Sequence, residues 1–186
     1  MEVDWEVEIG PGAPIIDAYW DGFVDLRVTP ALVRQLPEVN NLPALGDVLV
    51  RLNGPSSPIW TSKCDVWPVL DPDELDPYEL SATARSALYG WACYIDLLPR
   101  SDQQWIVPEM AVASCKYLCW VLHAVSQPCC RVDLVVRSAV IAPGKTDNGI
   151  TAYLTACGLT KAEAGTVLQT ALERLVDALC SRWAIE

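Results

Sequence analysis

Eight cysteines and a single histidine are the residues of this 186-residue chain best suited to hold a metal ion or to exchange electrons. The histidine and Cys115, Cys119, Cys129 and Cys130 share one stretch, "SCKYLCWVLHAVSQPCC" (114–130). Cys115, Cys119 and His123 recur every fourth residue. At about 1.5 Å rise per helical residue, Cys115 and His123 would lie about 12 Å apart, too far to hold one ion together with Cys119. Cys119 and His123 form an i, i+4 pair and could supply two ligands. Cys129 and Cys130, arriving after Pro128 turns the chain, could supply the others. Three sulfurs and one nitrogen make a closed structural zinc set, yet zinc cysteines usually come as spaced knuckles rather than a Cys-Cys dipeptide. Free cysteine is also among the most buried residue types, and Ala111, Ala113 and Ala124 show that this segment uses small residues. The favoured expectation is a packed helix without a cofactor. Zinc on Cys119, His123, Cys129 and Cys130 is the alternative, and thiols at Cys129 and Cys130 activated by Arg131 are a third.

A second constellation is acidic. Asp25, Asp65, Asp96 and Asp133 each stand in the middle of a strand-like segment, where aspartate is disfavoured. Gathered on one sheet face they could hold a divalent cation for metal-dependent catalysis. Each also has a basic neighbour: Arg27 for Asp25, Lys63 for Asp65, Arg100 for Asp96, and Arg131 and Arg137 for Asp133. Even offsets put such pairs on the same side of a strand, so a ladder of ion pairs accounts for the spacing without a metal and is favoured.

Other chemistry is poorly supplied. "PGKTDNG" ends like a phosphate-binding loop, but Ala139 stands where that loop needs glycine, and a strand follows rather than a helix. The lone histidine would have to serve any serine or cysteine nucleophile, and no nucleophile-elbow sequence is present.

The elements that would position these groups are clearest in the second half. "LTKAEAGTVLQTALERLVDALCSRW" has a capping box in Thr160 and Glu163. Its apolar stripe is Ala164, Val167, Leu168, Ala171, Leu172, Leu175, Leu179 and Trp183 at helical spacing. Residues 130–142 and 149–158 read as a hairpin across "APGKTDNG". Pro108 and Glu109 open a helix over 107–125, apolar almost all round and so expected to be buried on more than one side. In the first half, "DWEVEIG" and "DGFVDLRV" read as strands, 41–53 as a helix with Leu45, Val48, Leu49 and Leu52 inward, and 57–69 as a strand. Residues 71–80 read as an acidic connection with at most one helical turn, and 87–100 as a strand. The order points to an α+β fold spanning 1–186 as a single domain. Its expected form is a ferredoxin-like, mixed but mainly antiparallel sheet with helices on one face.

The totals exclude some partners. Lys and Arg number 13 against 24 Asp and Glu, a net charge of −11 without a basic cluster, which argues against nucleic acid and anionic membranes. Over half the residues, 52%, are apolar, without an uninterrupted run long enough to span a bilayer. The acidic start lacks a secretory pattern, so a cytoplasmic location with reduced thiols is expected. Eight tryptophans against one phenylalanine favour an interface or an aromatic-walled pocket. The expected function is a homo-oligomeric binding domain for a small ligand or protein partner, without catalysis. A metal-dependent enzyme is the alternative.

Overall fold

The computed structural model describes residues 1–100, 105–142 and 144–182; Trp183, placed on the last helix by periodicity, lies outside them. Strand β1 (Glu2–Glu8) and the short β2 (Ile16–Asp17) lead to a 3₁₀ turn, then to α1 (Pro37–Asn41) and α2 (Pro43–Asn53). There follow β3 (Ile59–Val69), β4 (Tyr89–Pro99), α3 (Pro108–His123), β5 (Cys130–Ala142), β6 (Lys145–Gly158) and α4 (Lys161–Arg182). The protein is α+β, with a mixed six-stranded sheet ordered β1-β5-β6-β4-β3 and β2 added on β5. β1 and β2 run parallel to β5, whereas β5–β6, β6–β4 and β4–β3 are antiparallel.

Alternation along the strands decides which face receives the helices. Val132, Leu134 and Val136 of β5, and Ile150, Ala152, Leu154 and Ala156 of β6, are buried on one face. They share a core with Ala111, Cys115, Leu118 and Leu122 of α3 and Leu168, Leu172 and Leu175 of α4. Each buried aliphatic side chain of this kind contributes roughly 1.5–3 kcal/mol. α4 starts where its cap dictates: the Glu163 N–H donates to Thr160 Oγ1 at 3.2 Å, and the Leu159 N–H donates to Glu163 Oε2 at 3.0 Å.

Three expectations are corrected. A ferredoxin-like sheet splits each βαβ unit around one intervening strand. β4 and β5 do flank β6 in that way, but β1 and β3 lie at opposite edges with β5, β6 and β4 between them. The hairpin partner of β5 has taken the central place, which sends β1 outward to a parallel pairing. The segment 21–28, read as a strand, is a set of turns. Asp25 uses its carboxylate on the Arg27 N–H at 3.0 Å and its carbonyl on the Thr29 N–H at 3.1 Å, closing the backbone on itself. The helix α3 packs on the sheet and, along a flank, against α4, with Val112, Tyr117, Cys119 and Val121 half-buried beside its core face. It is not covered all round, and Trp120 on its outer side is 74% exposed.

The helix-free face is half covered. Residues 15–23 cross it as a strap that buries Ile16 and Ala18 with Trp60, Leu98 and Ala139. The strap can lie this close because residue 149 is glycine: a Cβ there would meet Ile16 Cδ1 at 2.7 Å and the Leu97 carbonyl oxygen at 3.1 Å. Gly149→Ala is therefore expected to lower stability by roughly 1–3 kcal/mol in urea or thermal unfolding, the usual cost of overpacking.

Candidate functional site

Where the strap leaves the sheet, it folds back along the exposed edge of β3 and encloses a cleft of about 390 Å³. Its walls are chiefly Trp20, Val24, Leu26, Leu32, Leu36 and Leu49, and its polar groups include Ser62, Lys63 and Glu38. The size and the mainly apolar lining are those of a small-ligand pocket.

Three local features build it. The first is a β-bulge. Thr61 pairs with Leu97 and Cys64 with Ile95, so Ser62 and Lys63 together oppose Asp96 alone. The extra residue turns both side chains toward the strap. Ser62 Oγ donates to the Asp17 carbonyl at 2.6 Å, Trp20 Nε1 donates to the Ser62 carbonyl at 3.4 Å, and Lys63 Nζ stands 4.9 Å from the Trp20 ring centre.

The second is buried Asn53 at the end of α2. Its Nδ2 donates to the Leu49 carbonyl at 2.9 Å and to Thr61 Oγ1 at 2.7 Å, while its Oδ1 accepts from the Thr61 N–H at 3.1 Å. This ties the helix wall of the cleft to the strand wall. The third is the Asp25–Arg27 pair, 2.7 Å apart, whose guanidinium lies 3.7 Å over the Trp60 ring. The Arg27 side chain holds the Asp25 carboxyl below its ordinary range.

The cleft contains one thiol, Cys64, which burial first and then the Glu38 carboxylate push up to about 12. It stays protonated near neutral pH and is a poor nucleophile. The aromatic wall and the polar rim suit binding of an apolar body with a polar end. Trp20 is one of the eight tryptophans whose excess points to an interface or an aromatic-walled pocket. Lys63 and Cys64 were not assigned to a pocket, because nothing in "TSKCD" marks the bulge.

The residues singled out for metal chemistry are distributed differently. Cys119 is half-buried on α3, where burial followed by the carboxylates of Asp4 and Asp133 pushes its thiol up to about 11. His123 is exposed at the end of the same helix. Cys130 is buried at the start of β5, and burial pushes its thiol up to about 11. Cys129 has a left-handed backbone, φ 64°, and its carbonyl accepts from the N–H of buried Cys157 at 2.9 Å, which holds it at the β6 end and away from a shared site with Cys119 and His123. Among the described residues, no group of three or more His, Cys, Asp or Glu is placed to hold one ion.

The aspartates also find separate partners. Arg131 pairs with Asp133 at 2.7 Å, but Arg137 reaches across to Glu8 at 2.6 Å and donates to Tyr153 and Thr151. Arg100 turns away from Asp96 and donates to the carbonyls of Ser57, Asn53 and Gly54. Asp96 is buried, accepts from Thr151 Oγ1 at 2.6 Å, and has its carboxyl pushed up by that burial.

Two measurements test these assignments. The folded-state value of Asp25 is depressed, so its stabilisation is full above about pH 3.9 and is lost as pH falls through the lower folded value. Asp25→Asn should cost about 1 kcal/mol at pH 7, since the pair is partly exposed, and should flatten the acid side of the stability curve. The folded-state value of Asp96 is raised, so its ionisation opposes folding and stability falls as pH rises from the unfolded to the folded value. Asp96→Asn keeps an acceptor for Thr151 and should leave the urea midpoint at pH 7 unchanged or higher; a marked fall would mean that the carboxylate charge itself is needed there.

Compared with known proteins, the chain matches no family model, no curated protein and no solved structure.

Proposed function

We propose that this chain is a homo-oligomeric α+β domain that binds a small apolar ligand in the cleft beneath Trp20, without catalysing a reaction. The observation that carries this reading is the cleft itself, about 390 Å³ and walled by Trp20 and aliphatic side chains. Its volume falls at the low end of the roughly 300–1,000 Å³ typical of ligand pockets. The Lys63 amine and the Glu38 carboxylate at the rim would orient a polar head while the apolar body displaces water below. The acidic balance of the whole chain directs this reading away from nucleic acid and anionic membranes. No helix among the described residues is long and apolar enough to cross a membrane. The proposed setting is the cytosol, where eight thiols stay reduced.

The probe for this reading is 8-anilinonaphthalene-1-sulfonate, an aromatic body with one anionic head. The native chain should bind it at one site with enhanced fluorescence. Trp20→Ala should weaken that binding roughly tenfold or more by removing a wall, as loss of a buried aromatic anchor does. Lys63→Met should weaken it less, since a partly exposed charge contributes about 1 kcal/mol or under. Equal affinity in native protein and both variants, with unchanged circular dichroism, would remove the cleft as the site.

A further inference from the structure

Helix α3 carries two apolar stripes; one is buried in the core, and the other is largely exposed, with Tyr117 half-buried against the core. Ala111, Ser114, Cys115, Leu118 and Leu122 face the core. Met110, Ala113, Tyr117, Trp120 and Ala124 are spaced by three and four residues in turn, the seam pattern of helices that pair. Met110 is 44% exposed and Trp120 is 74% exposed, and Ile106, Val107 and Val7 continue the exposed apolar surface beyond the start of the helix. A patch of this kind on a helix marks an interaction surface.

We propose that this stripe is the interface between two copies of the chain, packed as an antiparallel α3–α3 pair about a two-fold axis passing between Lys116 and Tyr117. The proposal rests on the homo-oligomeric reading above and gives it a location. Shape argues for a second copy as the occupant. Toward the start of the same helix, against β1, lies a hollow of about 330 Å³ lined by Val7, Pro108, Glu109, Val112, Ala113 and Lys116. With the axis at that position, residues whose numbers sum to 233 face each other, so Trp120 meets the partner's Ala113 and enters the hollow there. The reciprocal contact forms at the same time, as an isologous interface requires.

Charge points the same way. The chain carries −11 overall, so two copies repel over most of their surface. The acidic and basic side chains of this helix are Glu109, Lys116 and His123. Antiparallel packing brings Glu109 to the end of the partner's helix, beside the partner's His123, and sets Lys116 against the partner's Tyr117 ring. The helix dipoles also oppose, which is favourable. The helix itself brings one carboxylate and one ammonium to the contact, so the paired helices add no net charge of either sign.

The test is sedimentation equilibrium on the intact chain, native and with Trp120→Ala, Ala113→Glu or Tyr78→Ser. Tyr78 is 91% exposed and off this helix, so its variant serves as control. The native chain and Tyr78→Ser should be dimers of equal affinity. Trp120→Ala and Ala113→Glu, each with native circular dichroism, should raise the dimer Kd roughly thirtyfold or more, the loss expected of a central tryptophan anchor. A native dimer left equally tight by both variants would overturn this interface while the homo-oligomeric reading survives. A native monomer at 100 µM would overturn both. Two variants guard against one failing to fold, and since Trp120 and Ala113 are exposed, neither substitution opens the core.

Discussion

The rest of the structure depends on β6 being paired along both edges. Its register with β5 runs from Ala156 opposite Cys130 to Lys145 opposite Ala142, and its register with β4 from Gly158 opposite Tyr89 to Ile150 opposite Leu97. A strand held on both sides cannot slip by one residue without moving its whole apolar set to the other face. That fixes Ile150, Ala152, Leu154 and Ala156 against α3 and α4, and it leaves Thr151, Tyr153 and Thr155 on the side without helices. β1, continued by the short β2, and β3 are then the edges, and each edge receives a different treatment.

At the β3 edge, the covering segment and the proposed ligand cleft coincide. An exposed strand edge offers unpaired backbone groups to other chains. Here the bulge at Ser62 and Lys63 breaks the regular pairing, and the strap and the turns after it close over the edge. The closure is incomplete, and the proposed ligand cleft is the space left between them. Asn53, the Arg27 guanidinium over the Trp60 ring and the Trp20–Ser62 hydrogen bond each attach another segment to β3, so the cleft is held by polar contacts around an apolar interior. At the other edge, β1 rests on α3, and the carboxylates of Glu2, Asp4, Glu6 and Glu8 line one side of it. Repeated charge on an edge strand discourages further pairing. The outer side of α3, where Met110 and Trp120 are exposed, is the surface proposed for pairing with a second copy.

The polar side of the sheet illustrates how pairing partners are chosen. Sequence offsets matched Arg131 to Asp133, and the structure keeps that pair at 2.7 Å. The same offsets matched Arg137 to Asp133 and Arg100 to Asp96, and neither pair forms. Arg137 has Glu8 available on the neighbouring strand at 2.6 Å, and a cross-strand partner directly opposite competes with one along the strand. Arg100 stands just past the end of β4, beyond the pleat that would have carried it onto the face of Asp96, so it satisfies three carbonyls of the α2–β3 loop instead.

Much of the local structure was determined by the sequence alone. The Thr160–Glu163 cap, the stripe of α4, the hairpin strands, the inward leucines of α2 and the strand through Tyr89–Pro99 all follow from interactions between residues near in the chain. Periodicity reports those directly. The helix over Pro108–His123 was legible too, though not that its outer side, with Trp120, would stay exposed. Tertiary structure alone decided three other things: that β6 rather than β1 sits at the centre, that Asp25 turns the chain instead of extending it, and that Trp20, Lys63 and Glu38 line one cleft. Each depends on groups far apart in sequence competing for the same hydrogen bonds or the same buried area. The balance of that competition is written in the packed arrangement and not in any single stretch of residues.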